Sequence, residues 1–330
     1  MDLDEIYHPI ADDLETMENL LRSTLGESQN GSIPAMGSEL LESGGKRLRP
    51  ALVLLAEGAA CRRGPSTCER QELAEIAAAM ELIHIASLIH DDVLDAASVR
   101  HNKPTINARY GEDVSIALGD YVYSKGFQLI GRRGRADVFA CVSDAIHAMC
   151  EGELIHVCQR RNLELSESSY ILIAEKKTAS LFAACCQVGA IIGNQPESVQ
   201  TALKEFGLNF GVAFQIVDDC RDMIGETAEL GKQPGQDMFA GDVTLPLLAL
   251  SDSVGQAERE EIRNMLGSPD DRNSLERLKT MLRDSDVLSK TQRLVESYAG
   301  SARERLDALA DSVYKDSLSQ LLDYATQNDF

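Results

Sequence analysis

Three carboxylates fall within five residues at the end of an apolar run, in LIHDDVLD, Leu88 to Asp95. Helix positions four apart lie one above the other, so Asp91 and Asp95 share a face and Asp92 points to one side. Like charges stacked in this way weaken a helix unless a cation sits between them. Hard divalent cations such as magnesium take oxygen ligands of this kind. A solvated acidic helix end would have the same composition. The cluster returns with the same spacing behind a second apolar run, FQIVDDCRD, Phe214 to Asp222. There Asp218 and Asp222 share a face, with Asp219 beside them. Two such helices facing each other would gather more negative charge than metal alone neutralises, unless a phosphate-rich ligand bridges the ions. Lys46, Arg49, Arg100, Lys177 and Lys232 offer phosphate contacts. Ala86, Ser87, Gly207, Gly211 and Phe214, small or apolar, lie beneath the acids and leave a greasy cavity. A metal-held diphosphate above an apolar tunnel suits a lipid diphosphate. The favoured chemistry is ionisation of its C–O bond, with metals stabilising the leaving diphosphate.

Helices must position these groups. In GGKRLRP, Gly44 to Pro50, a helix starting near Pro50 puts Lys46, Arg47 and Arg49 at an N-terminus, where backbone N–H groups and the dipole favour anions. A phosphate cradle and an exposed basic turn both fit. His84 lies on the stripe of Asp91 and Asp95, at a position that a packed core histidine would also occupy. His90 faces elsewhere and reads as structural. Lys177 and Thr178 open the apolar run of EKKTASLF. Gly207 and Gly211 lie on the face of Asp218 and Asp222; a helical glycine costs ~1 kcal/mol relative to alanine, so either room is being kept or helices pack closely.

Helical periodicity covers about Leu3–Leu25, Gln71–Asp95, Asp113–Ile130, Asp137–Cys158, Ser168–Ile192 and Val199–Gly225. Further helices are expected at about Pro246–Leu250, Gln256–Met265, Arg272–Asp284 and Ser289–Gln327. Gly26–Gly37 reads as a loop and Gly131–Arg135 as a basic surface turn. No strand-like alternation of useful length appears. The expectation is one all-α domain, 1–330, a helical bundle around a central apolar cavity. With 32 Lys plus Arg against 53 Asp plus Glu, a net charge of −21 makes the chain a poor candidate for charge attraction to nucleic acid or an anionic bilayer. Eight cysteines without a C-x-x-C pair argue against zinc and fit a reducing cytoplasm. The acidic N-terminus resembles neither a secretory signal nor a transit peptide. No run of eighteen uncharged apolar residues is present, so no transmembrane segment is expected.

Together and in this order, GGKRLRP, HIASLIHDDVLD followed by Arg100, EKKTASLF, GVAFQIVDDCRD and LGKQPGQD make the chain resemble the trans-isoprenyl (polyprenyl) diphosphate synthases across nearly its whole length. The resemblance implies the all-α isoprenoid synthase fold, a homodimer and magnesium as cofactor. Asp91, Asp92, Asp95, Asp218, Asp219 and Asp222 would bind magnesium on an allylic diphosphate. Arg100, Lys177 and Lys232 would hold that diphosphate, and Thr178 and Gln215 would lie beside the forming allylic cation. Lys46, Arg49 and His84 would bind isopentenyl diphosphate. Ionisation gives the cation, the isopentenyl double bond attacks it, and the departing diphosphate takes the proton. A peripheral membrane contact for product release is compatible with this reading.

Two positions depart from the family. Where a second arginine usually contacts isopentenyl diphosphate stands His101, a weaker phosphate ligand. Where a second lysine usually follows Gly241 stands Asp242. Both remove positive charge from the expected site. Bulky aromatics four or five positions before the first acidic motif give short products in this family; here those positions hold Ser87 and Ala86. A medium-to-long polyprenyl product follows, with geranylgeranyl or farnesyl diphosphate synthase the nearest alternative. A terpene cyclase would not need GGKRLRP, and its second motif usually mixes Asn, Ser and Glu. A non-catalytic regulatory subunit of a heteromeric synthase tends to lose the aspartates, all six of which are kept, while His101 and Asp242 keep that alternative open.

Overall fold

Long apolar runs interrupted at helical intervals give a molecule built almost wholly of helices. The structure, a computed structural model, describes residues 2–28, 31–42, 44–61, 67–100, 102–225, 234–266 and 272–327. His101 and Lys232 lie outside them. In chain order the helices are α1 (Leu3–Tyr7), α2 (Ala11–Gly26), α3 (Ser32–Glu42), α4 (Leu48–Ala60), α5 (Thr67–Leu94), α6 (Ile106–Tyr110), α7 (Glu112–Arg133), α8 (Ala136–Cys158) and α9 (Glu167–Ala174). There follow α10 (Ser180–Ile192), α11 (Glu197–Ile224), α12 (Gln236–Ala240), α13 (Leu245–Ser253), α14 (Gln256–Met265), α15 (Arg272–Arg283), α16 (Val287–Leu306) and α17 (Val313–Thr326). A two-residue antiparallel pair, β1 (Val99–Arg100) and β2 (Lys103–Pro104), aligns Arg100 with Lys103.

Four boundaries differ from the sequence reading, each for a local reason. Gly26–Gly37 is not all loop, because α3 starts at Ser32. Ile33, Met36, Leu40 and Leu41 give it a helical stripe, and Pro34 sits in the first turn, where its missing N–H is not needed. Gly37 serves a close approach, since an added Cβ would lie 2.9 Å from Leu25 Cβ. Helix α4 starts two residues before Pro50, with Arg47 left-handed at its N-cap. That conformation is unusual for a side-chain-bearing residue, and the Arg47 guanidinium is tied down by Glu81 at 2.9 Å and Glu18 at 3.4 Å. Helix α7 runs on through Arg133 to a left-handed Gly134 cap. Arg133 then pairs with Glu75 at 2.6 Å and Arg135 with Asp137 at 2.8 Å, so this basic stretch is tied to carboxylates rather than being a plain surface turn. The expected helix over 289–327 breaks between α16 and α17, where the Ser312 hydroxyl accepts the Lys315 N–H and starts a new helix.

The chain divides into two compact units. The first comprises Met1–Asp144, Leu181–Glu205 and Arg305–Leu321; the second comprises Ala145–Ser180, Phe206–Glu304 and Leu322–Phe330. Within the first, α5 packs mainly on α7 and also on α2, α4 and α6. Ile76 to Met80, Leu82, Ile83 and Ala86 are fully shut from solvent. Helix α5 is long and apolar enough to cross a bilayer by length and composition alone, although it holds no run of eighteen uncharged residues. Since 78% of the qualifying window is buried inside the protein, it has the character of a core helix. The second unit has its own core, drawn from Tyr170 and Ala174 on α9, Val212, Ile216 and Val217 on α11, and the apolar faces of α13 to α16. Cys61, Cys141, Cys150, Cys158, Cys185, Cys186 and Cys220 are free thiols, the last three of them buried.

Candidate active site

In the second unit the helix that starts at Glu167 changes pitch. Residues Glu175–Ala179 (EKKTA) form one turn of π-helix between α9 and α10. The Ser180 N–H reaches back five residues to Glu175 O. Its hydroxyl donates at 2.6 Å to Lys176 O, the carbonyl that an ordinary α-turn would have satisfied from the backbone. Helix α8 lies close against this turn. A Cβ on Gly152 would come within 2.8 Å of Lys176 Cβ, so only glycine allows the approach.

The bulge presents two of the expected residues. Thr178 Oγ1 donates to Gln215 Oε1 at 2.6 Å, and Gln215 Nε2 donates to Asp219 Oδ1 at 2.6 Å. The other oxygen, Asp219 Oδ2, accepts the Tyr170 hydroxyl at 2.6 Å. This directional chain fixes the Gln215 amide, carbonyl towards Thr178 and NH2 towards Asp219. Burial outweighs the two hydrogen bonds and pushes the Asp219 carboxyl up to about 7. Lys177 takes Glu153 Oε2 at 2.6 Å and His156 Nδ1 at 3.0 Å, both from α8. Burial pushes the Glu153 carboxyl up, but the His156 imidazole, 3.8 Å from Oε1, and the Lys177 ammonium outweigh it and bring it down to about 2.

The second acidic motif on α11 is not uniform. Asp218 is exposed, Asp219 is 5% exposed, and Asp222 is wholly buried, with its Oδ2 accepting the Asp237 N–H at 3.1 Å. Gly207 and Gly211 are buried on the same helix, and the Phe210 and Phe214 rings stack 6.5 Å apart at 7°.

In the first unit Asp91 and Asp95 are part-exposed near the end of α5, while Asp92 is 7% exposed. Asp92 Oδ1 accepts Arg100 Nε at 2.8 Å. Burial raises the Asp92 carboxyl, and Arg100 opposes that shift. Ala86 is buried, and the Ser87 hydroxyl is spent on His84 O at 2.8 Å, so neither adds bulk at its surface. Arg49 sits over the Phe182 ring at 4.3 Å, and its Nε is shut from solvent with no hydrogen-bond partner among the described residues. Burial lowers its affinity for the proton, while Glu81 and Asp91 oppose that. A buried guanidinium nitrogen without a partner is costly alone and suits an incoming anion. Lys46 is exposed, whereas its neighbour Arg47 is committed to Glu81 and Glu18. His84 is part-exposed, and His90 lies 3.2 Å from Ile116 O, in keeping with a structural role.

A polyprenyl synthetase family model matches residues 31–284. This chain belongs to that family. It is a trans-prenyltransferase, and its fold is the all-α isoprenoid synthase fold. A heptaprenyl diphosphate synthase component 2 from Geobacillus stearothermophilus is 32% identical over 331 residues, covering 100% of both chains. An octaprenyl diphosphate synthase from Escherichia coli is 30% identical over 329 residues, again covering 100% of each. A polyprenyl synthase from Caulobacter crescentus, solved with calcium and isoprenyl diphosphate, superposes with a TM-score of 0.92 at 30% identity. That match covers 98% of this chain and 97% of the other.

Within the family frame, the donor set suits magnesium. Among the described residues no three His, Cys, Asp or Glu side chains form a metal cage. Magnesium usually takes one or two carboxylates together with substrate phosphates rather than a cage made of protein alone. Lys177, Thr178, Gln215 and Asp219 do come together. Two members of the expected ligand set are otherwise engaged: Asp92 with Arg100, and both oxygens of Asp219 with Tyr170 and Gln215. Arg100 is correspondingly occupied. Sequence reasoning missed Tyr170, Glu153 and His156. The one local signal was the i,i+3 spacing of Glu153 and His156 on α8.

Proposed function

We propose that this prenyltransferase condenses isopentenyl diphosphate with an allylic diphosphate by magnesium-assisted ionisation and releases a medium-to-long polyprenyl diphosphate. The observation that carries this reading is the chain Thr178–Gln215–Asp219–Tyr170 beside Lys177 on the π-turn. It supplies a fixed cation for a diphosphate and fixed oxygen dipoles for a nascent allylic cation, ordered before substrate arrives. Magnesium, when bound, stabilises the leaving diphosphate. Asp91, Asp95, Asp218 and Asp222 are the carboxylates assigned to it, and Asp92 and Asp219 are assigned to positioning. Lys46, Arg49 and His84 are assigned to isopentenyl diphosphate, with His101 beside them in role. Arg100, Lys177 and Lys232 are assigned to the allylic diphosphate. No side-chain nucleophile takes part. Small Ala86 and Ser87, with octaprenyl and heptaprenyl synthases among the relatives, support a product longer than geranylgeranyl. We place the enzyme in the cytoplasm as a homodimer.

The test is the purified chain with magnesium, isopentenyl diphosphate and farnesyl diphosphate, followed by chromatography of the dephosphorylated products. Products longer than twenty carbons are expected. A single twenty-carbon product would overturn the length assignment. A second reading, one component of a two-chain synthase, is favoured by the similarity to a heptaprenyl synthase component 2. No product from the chain alone would favour it.

A further inference from the structure

Asp242 stands where the family resemblance leads one to expect a lysine on the substrate diphosphate, yet it does not stand as a repelling charge. Its carboxylate is 7% exposed and faces into the second unit. Oδ1 accepts Arg160 Nε at 2.8 Å and lies 3.3 Å from His156 Nε2. The opposite ring nitrogen, His156 Nδ1, lies 3.0 Å from Lys177 Nζ. The backbone around it is fixed as well: the Arg161 N–H donates to Gly241 O at 2.7 Å, and the Asp242 N–H donates to Asp237 O at 2.8 Å.

The chemistry of this row is directional. An ammonium only donates, so His156 Nδ1 must be the acceptor, and the ring proton must then sit on Nε2. An acceptor opposite Nε2 selects that tautomer, and the Asp242 carboxylate is such an acceptor. The charges also balance within the group, with Lys177 and Arg160 against Glu153 and Asp242. A lysine at 242 would face Arg160 and would present a donor to Nε2, the nitrogen that has to carry the proton.

We infer that Asp242 is a positioning residue for substrate binding: through His156 it sets where the Lys177 ammonium stands. The chain thus exchanges a direct cationic contact from position 242 for indirect placement of the cation at 177. This rests on the assignment of Lys177 to the allylic diphosphate.

The test is steady-state kinetics on Asp242→Asn, His156→Phe and the double variant, with both substrates varied and thermal melting as the folding control. Each single variant should raise KM for the allylic diphosphate about tenfold, while KM for isopentenyl diphosphate moves less than twofold. The double variant should be no worse than the more damaging single, because both break one row. Unchanged allylic KM in both variants, equal shifts in both KM values, or multiplicative effects in the double would overturn the positioning role. Should Asp242→Asn fail to fold, the allylic KM of His156→Phe decides alone. An inactive wild-type chain would instead overturn the underlying assignment of activity, which separates the two failures.

Discussion

The two acidic motifs have the same spacing and are built differently. At the end of α5, Asp91 and Asp95 are part-exposed, and the middle aspartate is held by a cation, Arg100 at 2.8 Å. On α11 the middle aspartate is held by two neutral donors at 2.6 Å, and Asp222 is fully buried against the Asp237 N–H. Helical period alone dictates which aspartates share a face. It does not dictate what the third one does. In both motifs the off-face aspartate is buried and hydrogen-bonded to neighbouring side chains. In the second motif the contacts run on through Gln215 to Thr178, an ordered polar chain where the middle aspartate of the first motif meets Arg100.

The largest effect expected from this contrast is on activity. Asp218→Ala should lower kcat/KM by about 10²–10³, and chelating magnesium should abolish turnover. Asp219→Asn should cost only about tenfold, as the loss of a positioning group. Equal losses would erase the division between metal-facing and positioning aspartates. Next comes stability, read from denaturant midpoints. Tyr170→Phe strips a buried carboxylate of one donor and should cost about 1–3 kcal/mol. Arg100→Gln touches a part-exposed pair and should cost about 1 kcal/mol or less. The reverse order would mean that the second motif is not the more firmly built.

A smaller effect lies in acid. The Glu153 carboxyl is depressed in the folded chain to about 2 from an ordinary value near 4.5. Its stabilising contribution is therefore complete above about pH 4.5 and is lost as pH falls towards 2. The stability gap between wild type and Glu153→Gln should close over that window in urea melts. A gap constant with pH would disconnect Glu153 from Lys177. The smallest effect concerns the first motif's neighbour: His101→Arg should lower KM for isopentenyl diphosphate several-fold. An unchanged or higher value would remove His101 from that site.

Much of this was legible in the sequence because helices make spacing meaningful. The shared faces of Asp91 with Asp95 and of Asp218 with Asp222 follow from the period. The presence of Lys177, Thr178 and Gln215 in one site follows from the family motifs. The partners of these residues were not legible. Asp242 lies 82 residues from Arg160, and no local pattern encodes a contact set by packing. Tyr170 was hidden for another reason. Counting 100° per residue from Tyr170 to Thr178 fails when a π-turn intervenes, because the helical phase slips inside it. The break before α17 was missed because an Asp–Ser pair reads equally well as exposed helix or as a cap.

The π-turn also sets how the chain tolerates length changes. A substitution within Glu175–Ala179 alters one side chain. The wide turn takes up one extra residue, so removing one would let the backbone close into a continuous α-helix while the residues after it keep their phase relative to α9. The buried face of α10, Leu181 to Cys186 and Val188 to Ile192, would stay as it is, whereas the side chains inside the turn, Lys177 and Thr178 among them, would be displaced. A single-residue deletion there should therefore leave the thermal melting of the protein nearly unchanged and still abolish turnover.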